Sequence, residues 1–391
     1  MRILHITPYF APAFVYGGPP RSVLGLCKGL QRAGVQVEVV TTAANGPTDL
    51  APSPPEGSEY EGVRVRYLPV AFPRRFFGAR MRGPVSTALA RADLCHIHGI
   101  WNVPEWSAAR LARASGVPYV LSPRGMLQPA ARTRGRWRKA IAYRVLEQVN
   151  LAHADLLHAT SDAEAAVLRS LGLNVPIVVV PNGVDTAAAA SAPPGFRERL
   201  GIPRDAFVVA FLGRIHPIKR LDLLASAFAA VRETHSDVHL VLAGPDERGH
   251  LASVMRRLTA HAGCVHAPGA LGEDDKWALL RAADVSVQCS DSESFGLAIV
   301  EAMAAGVPVV VTRTCPWPEI EARDCGFWVE HSAPALADAI RRLLADRPRR
   351  AAMGERGAAF ARERFGWEAI GRRVAASYAD VLARRRRDHV A

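Results

Sequence analysis

Four groups of residues have types and spacing suited to chemistry. The first is Gly17-Gly18, in the turn Tyr16-Gly17-Gly18-Pro19-Pro20, which follows a β-branched run at Ile3–Thr7 and opens a helical pattern. Bare glycines admit a ligand close to the backbone, and a helix N-terminus offers a phosphate unpaired N–H groups and partial positive charge. A purely structural glycine turn would read the same way. The spacing is not the G-x-G-x-x-G of a dinucleotide site, which counts against an NAD oxidoreductase. The second group is Gly213-Arg214-Ile215-His216-Pro217-Ile218-Lys219-Arg220, directly after a strand pattern. Arg214 and Lys219 bracket a proline-restricted turn, so two cations stand at a strand's carboxyl end with limited freedom, as a diphosphate requires. Two solvated surface charges are the alternative.

The third group runs from Glu293 through Ser294, Phe295 and Gly296 to Glu301, and continues as Ala302-Met303-Ala304-Ala305-Gly306. Around a helix start, acids eight apart lie about 12 Å apart along the axis. That span suits hydroxyls at two ends of an elongated ligand and is too long for an acid/base pair acting on one bond. Glu301 sits in an apolar run, where an unpaired carboxylate is costly to bury, so it asks for a ligand or a buried Arg; a structural ion pair is the other reading. The fourth group is Asp93-Leu94-Cys95-His96-Ile97-His98-Gly99. By strand alternation His96 and His98 share a face. A metal would want a third ligand of comparable placement, and none stands out, so no metal is expected there.

The elements that must position these groups alternate along the chain. Strand patterns at Ile3–Thr7, Val35–Thr41, Val63–Leu68, Leu94–His98, Tyr119–Ser122, Leu156–Thr160 and Ile177–Val180 are interleaved with helical patterns at Ser22–Ala33, Glu105–Ala114, Trp137–Leu151 and Asp162–Leu171. After Pro181-Asn182-Gly183-Val184-Asp185, the Ala- and Pro-rich stretch Thr186–Pro194 reads as a linker or a short excursion. The alternation then restarts, with strands at Phe207–Gly213, Val238–Ala243, Val285–Gln288 and Val307–Val311. Helical patterns at Leu221–Thr234, Leu251–Ala260, Lys276–Ala283 and Phe295–Ala305 separate them. Repeated strand-helix-strand units predict an α/β fold of two Rossmann-like, doubly wound parallel sheets, with ligands at the carboxyl ends of the strands in a cleft between them. The length of 391 residues agrees with two domains.

The formal net charge is +12, and its distribution matters more than its size. Residues 1–185 hold 21 Lys+Arg against 12 Asp+Glu, and Arg64–Arg144 holds 16 against only Asp93 and Glu105. The excess is a local basic face. The stretches Arg74-Arg75-Phe76-Phe77, Arg80, Arg82, Arg132, Arg134, Arg136, Trp137, Arg138 and Lys139 mix cations with aromatics, which suits an anionic membrane surface; an Arg-rich solvated face is the plainer reading. No cation-and-aromatic element outside that face suits nucleic acid, so no nucleic-acid partner is expected. The six cysteines lie mostly in apolar runs without a C-x-x-C pair, as in reduced thiols. With no signal-peptide pattern or membrane span in the sequence, a cytoplasmic protein is expected, possible membrane contact being peripheral on the inner face.

In this order and spacing, Gly17-Gly18, the His96-x-His98-Gly99 motif, the Pro181–Asp185 hinge, Gly213-Arg214 with Lys219, and the E-x7-E of Glu293 and Glu301 resemble the retaining nucleotide-sugar glycosyltransferases of the GT-B fold, specifically family 4 (group 1). The resemblance covers nearly the whole chain. It implies an acceptor-side domain at 1–185, a donor-binding domain at 186–366, and a C-terminal helix at 367–391 that packs back on the first. It further implies that Arg214 and Lys219, with the Gly17-Gly18 amides, hold the donor's diphosphate, and that Glu301 holds the ribose. Glu293, with the Phe295-Gly296 backbone, would hold the transferred sugar, and His98 would stand beside it. Leu271, Glu273 and Lys276 would line the base. Arg124, in Ser122-Pro123-Arg124-Gly125-Met126-Leu127, resembles a subset acting in surface-polysaccharide assembly (exopolysaccharide or lipopolysaccharide) and would face the acceptor. The donor is then a nucleoside-diphosphate sugar and the acceptor a saccharide or lipid-linked saccharide.

No D-x-D stands where a Mg²⁺-dependent transferase would need one, so metal independence and no cofactor are expected, the leaving charge being met by Arg214, Lys219 and a helix N-terminus. The family implies front-face attack with retention, the leaving phosphate taking the acceptor's proton. A nucleotide-sugar epimerase on the same scaffold and a basic nucleic-acid-binding protein are the alternatives.

Overall fold

The computed structural model describes residues 1–70, 81–128, 142–191, 193–246 and 249–390. They form two compact units, one of residues 1–183 with 367–391 and one of residues 184–366.

The first unit is built on an eight-stranded sheet. Its strands are β1 (Arg2–Ile6), β2 (Gln36–Thr42), β3 (Ser58–Tyr60), β4 (Val63–Leu68), β5 (Leu94–His98), β6 (Tyr119–Ser122), β7 (Leu156–Ala159) and β8 (Ile177–Val179), in the order β3-β4-β2-β1-β5-β6-β7-β8. All pairings are parallel except β3 with β4. The central strands are apolar runs buried on both faces, as crossover helices on both sides of a parallel sheet demand. Strand order reverses between β1 and β5, so the loops leaving these two strands part and open a crevice at their carboxyl ends.

Helix Trp367–Val390 packs on helix Gly18–Arg32 through glycines. A Cβ on Gly29 would lie 2.3 Å from the Trp367 carbonyl oxygen, and one on Gly371 2.2 Å from the Gly29 carbonyl oxygen, so the two backbones meet where only glycine fits. The C-terminal helix thereby adds Ile370, Val374, Tyr378 and Val381 to the core on one face of the sheet.

The second unit holds six parallel strands, β9 (Phe207–Leu212), β10 (Val238–Ala243), β11 (Val265–Gly269), β12 (Val285–Gln288), β13 (Val309–Thr312) and β14 (Gly326–Val329), in the order β11-β10-β9-β12-β13-β14. Here the order reverses between β9 and β12. Just past β9 and β10 a Cβ on Gly244 would sit 1.8 Å from the Gly213 carbonyl oxygen, which brings these two loops into close approach.

Several expectations need correction. Thr186–Ala190, read as linker, is a short helix capped by the Asp185 carboxylate, which accepts from the Ala187 and Ala188 N–H groups at 3.1 and 3.0 Å. The helix expected from Phe295 begins at Leu297, because Gly296 takes φ 81° and breaks the turn. Glu293 therefore lies in the loop before the helix, and the 12 Å helical separation from Glu301 does not apply. The expected helix Trp137–Leu151 lies partly outside the described residues; its described end is a turn of π-helix, Tyr143–Glu147, running into Gln148–Ala152. Strands β3, β11 and β14 and the helices Arg82–Leu89, Ala333–Ala345 and Arg347–Phe365 were not expected. Of the basic stretches, Arg74, Arg75, Phe76, Phe77, Arg80, Arg132, Arg134, Arg136, Trp137, Arg138 and Lys139 lie outside the described residues, and Arg82 is exposed. Among the described residues no helix is long and apolar enough to cross a membrane.

Candidate functional site

In the second unit the loops after β9 and β12 are tied together at the switch point. The Asp291 N–H donates to the Ile218 carbonyl at 2.8 Å, and Arg220, at φ 51°, donates to Asp291 at 2.9 Å and to Asp222 at 3.0 Å. Between these loops Lys219 donates to Glu293, which also accepts from Ser290 Oγ at 2.9 Å. The side chains of Lys219 and Glu293 are 16% and 14% exposed, so the pair is largely shielded yet reachable. The two residues assigned to diphosphate and sugar therefore hold each other. Arg214 is half-buried at the end of β9, beside Gly213.

Glu301 is neither unpaired nor held by an Arg. Lys276, only 4% exposed, donates to it at 2.7 Å and also to Glu273, three residues earlier on the helix Glu273–Ala282. Glu273 further accepts from Trp277 Nε1 at 3.1 Å, and the Lys276 ammonium lies 4.3 Å from the Trp277 ring centroid. A shared ammonium is what lets the Glu301 carboxylate stay in its apolar surroundings. Leu271 is half-buried just before this helix. Phe295 is buried against Trp317 and Phe365, and its carbonyl accepts from Trp317 Nε1, which fixes the backbone leading into Gly296.

In the first unit Gly17 is the N-terminal flank of helix Gly18–Arg32, at φ 82°. The helix's first turn carries no acid and its flank no side-chain cap, so its N–H dipoles are not neutralised locally. At the switch point between β1 and β5, His5 and His98 meet, Nδ1 to Nε2 at 2.8 Å. Arg124, at φ 53°, lays its guanidinium on the other nitrogen of His98, with Nη2 at 3.0 Å and Nε at 3.3 Å from Nδ1, and donates to Ser22 Oγ at 3.1 Å and Asn182 Oδ1 at 2.9 Å.

A guanidinium has only donors, so His98 Nδ1 carries the lone pair and Nε2 the proton, which points at His5 Nδ1. Both ring nitrogens are then engaged, and His98 is held in place with none left to act as a base. His96 Nδ1 lies 2.5 Å from the Tyr378 hydroxyl, and His158 Nε2 donates to the Val180 carbonyl at 2.8 Å. Burial, with Arg124 adding to it, holds all four imidazoles neutral, His5 down to about 3 and His158 to about 4, and His96 and His98 well below the ordinary value. Burial likewise brings Arg124 down to about 10.

His5 is the third imidazole that the sequence reading did not find: ligand nitrogens of His5, His96 and His98 lie within 4.8 Å of one another. The donor set nevertheless does not fit a metal as arranged. The one lone pair of His98 faces a guanidinium, whose charge would also repel a cation. The other partners that sequence reasoning missed are Lys276 for Glu301, and Glu105 and Glu147, which secure the loop after β5. In the sequence Glu105 showed only as a helix residue in an apolar stretch, and Glu147 carried no signal.

The family model described as "Glycosyl transferases group 1" matches residues 194–360, and that described as "Glycosyl transferase 4-like domain" matches residues 17–183. A D-inositol 3-phosphate glycosyltransferase of Kineococcus radiotolerans is 33% identical, the alignment covering 90% of this chain and 88% of that protein. Among solved structures, sucrose-phosphate synthase from Thermosynechococcus elongatus superposes with a TM-score of 0.77 at 23% identity, over 98% of this chain and 99% of that one. Anabaena Alr3699/HepE in complex with UDP-glucose gives a TM-score of 0.76 at 20% identity, over 97% and 100%. The two switch points thus sit on a scaffold shared with known transferases, and the chain belongs to the group 1 glycosyl transferases, a glycosyltransferase of the two-domain GT-B fold.

Proposed function

We propose that the protein moves a sugar from a nucleoside-diphosphate sugar to a hydroxyl acceptor, with retention of anomeric configuration and without a metal ion. The observation that carries this reading is the Lys219–Glu293 pair at the β9/β12 switch point, in the loop that also carries Arg214. A diphosphate arriving there would draw Lys219 away from Glu293. The cation then meets the leaving charge, and the freed carboxylate accepts from hydroxyls of the sugar. Glu301 holds the ribose, Leu271, Glu273 and Lys276 line the base, and the Phe295-Gly296 backbone supports the sugar. The bond from the anomeric carbon to the phosphate oxygen breaks, the acceptor oxygen bonds to the same face, and the leaving phosphate takes the acceptor's proton. With both His98 nitrogens engaged, that proton has no imidazole to go to, which agrees with a phosphate base. Gly17, Gly18, His98 and Arg124 belong to the acceptor-side unit.

The acceptor in this reading is a saccharide or lipid-linked saccharide in cell-surface polysaccharide assembly, met at an anionic membrane face. A second reading is favoured by Arg124, whose hydrogen-bond partners among the described residues are all neutral, and by the relative named for inositol 3-phosphate: an acceptor that itself carries a phosphate. The test is a thermal-shift screen with UDP, GDP, ADP and their sugars, a ligand at 100-fold its Kd adding ~2.7 kcal/mol of stability. Turnover of the stabilising donor with each acceptor class follows, with and without EDTA. Expected are an α-linked product from an α-linked donor, turnover indifferent to EDTA, and its loss in Arg214→Ala and Lys219→Ala. An inverted product or loss of turnover with EDTA would refute the mechanism, and conversion of the donor alone would indicate an epimerase.

A further inference from the structure

We propose that Glu105 and Glu147 are positioning residues, a buried carboxyl pair that holds the loop after β5 and, through it, His98 and Arg124 in the geometry used for transfer. The proposal rests on the transferase reading above for the word transfer, and on geometry for the rest. The loop Gly99–Asn102 leaves β5 directly after His98. Its Trp101 N–H donates to Glu147 at 2.8 Å, and Asn102 Nδ2 donates to Glu105 Oε1 at 2.9 Å. Gly99, at φ 96°, packs so closely that a Cβ would lie 2.8 Å from Glu105 Oε1. Trp101 is held at φ 78°, a backbone conformation that costs a non-glycine residue on the order of 1–3 kcal/mol and persists only where its surroundings impose it.

The same loop carries the restraint across to Arg124. Trp101 Nε1 donates to the Met126 carbonyl at 3.3 Å, and the Ile100 N–H points at Met126 Sδ at 3.4 Å, both in the turn that presents Arg124. Glu105 and Glu147 are 2% and 4% exposed, and Glu105 Oε2 has no hydrogen-bond partner among the described residues. Neither has an Arg or Lys as ion-pair partner among the described residues. Arg113, on the helix of Glu105, donates to Asn150 at 2.8 Å, Arg110 and Arg144 are exposed, and among the described residues it is the Glu147 carboxyl whose charge acts on Glu105. Burial pushes Glu105 up to about 8 and Glu147 to about 7.

The experiment compares Glu147→Ala with Glu147→Gln in two readouts, amide exchange of the segment after β5 and steady-state transfer with donor and acceptor varied separately. Glu147→Ala removes the acceptor of the Trp101 N–H, so its exchange should rise about tenfold, the equivalent of one lost hydrogen bond. Acceptor KM should rise and kcat fall while donor KM holds, and Glu147→Gln should restore both. Should Glu147→Ala fail to fold, Glu105→Gln and Glu147→Gln carry the test. In the native protein the loop's opening should grow by up to about tenfold per pH unit for each acid, from pH 4.5 to the folded value of that acid, and each Gln variant should remove one such step. Identical exchange in the Ala and Gln variants, or a loosened loop with unchanged acceptor kinetics, overturns the proposal. If the native protein turns over no donor, the transferase reading falls, and the exchange comparison still decides whether the pair holds the loop.

Discussion

Replacing Glu105 and Glu147 together by glutamine should turn the first unit from one whose stability varies by about 2 kcal/mol between pH 5.5 and 8 into one that is markedly acid-labile. Four buried histidines, His5, His96, His98 and His158, have folded values far below their ordinary 6.5. The folded state then binds fewer protons than the unfolded chain, so their contribution is present above pH 6.5 and is lost as pH falls. From pH 6.5 to 5.5 each loses about 1 kcal/mol, roughly 4 kcal/mol for the set. Glu105 and Glu147 have the opposite sign: folded values raised above 4.5 give stability that is complete below pH 4.5 and lost as pH rises toward about 8 and about 7. Over the same acid step they return somewhat more than half of what the histidines lose, and from pH 6.5 to 8 they give up somewhat more than the histidines regain.

The native unit should therefore be most stable near pH 6.5 to 7, weaker by about 2 kcal/mol at pH 5.5 and by about 1 at pH 8. In the double Gln variant the offset is gone, and the unit should be roughly 6 kcal/mol more stable at pH 8 than at pH 5.5. Globally exchanging amides of β1 and β5, followed by hydrogen exchange at several pH values and corrected for intrinsic rates, report this unit alone. The reasoning fails if native and variant show the same dependence on pH, because the two sets of buried groups would then not be opposing one another.

Two further outcomes test the packing around the candidate site. Lys276→Met leaves the Glu301 carboxylate buried without its ammonium and should cost about 3–5 kcal/mol. In a unit of this size that is roughly 10 °C in thermal midpoint, and adding Glu301→Gln should recover much of it. Equal melting of single and double variants would show that the pair is not what keeps Glu301 tolerable. Gly29→Ala would drive a methyl into the Trp367 carbonyl 2.3 Å away and should cost about 1–3 kcal/mol by urea titration, with the C-terminal helix exchanging first.

Much of the fold was legible because its central strands are short apolar runs between turn residues. Val63–Leu68, Leu94–His98, Tyr119–Ser122, Val238–Ala243 and Val285–Gln288 have the same bounds in the sequence pattern and in the structure. The edge and short strands were not: Ser58-Glu59-Tyr60 and Val265-His266-Ala267-Pro268-Gly269 carry too little apolar pattern, and only a neighbouring strand's hydrogen bonds make them strands. Gly296, which makes the helix start two residues later than the apolar run suggested, shows how one positive φ overrides periodicity.

At the candidate site, the sequence alone determined which chemistry-bearing residues exist and that most stand at or beyond the ends of strand patterns: His98 at the end of β5, Lys219 after β9 and Glu293 after β12. Tertiary structure decided what each one meets. Lys219 reaches Glu293, 74 positions away, because β9 and β12 are neighbours in the sheet, and His98 reaches His5, 93 positions away, because β5 lies beside β1. Lys276 answers Glu301 from a different helix, and Arg124 sets the His98 proton from another loop. Local pattern records backbone geometry and burial. Which charge is paired, and which nitrogen keeps its lone pair, depends on strand order, which no stretch of sequence carries by itself.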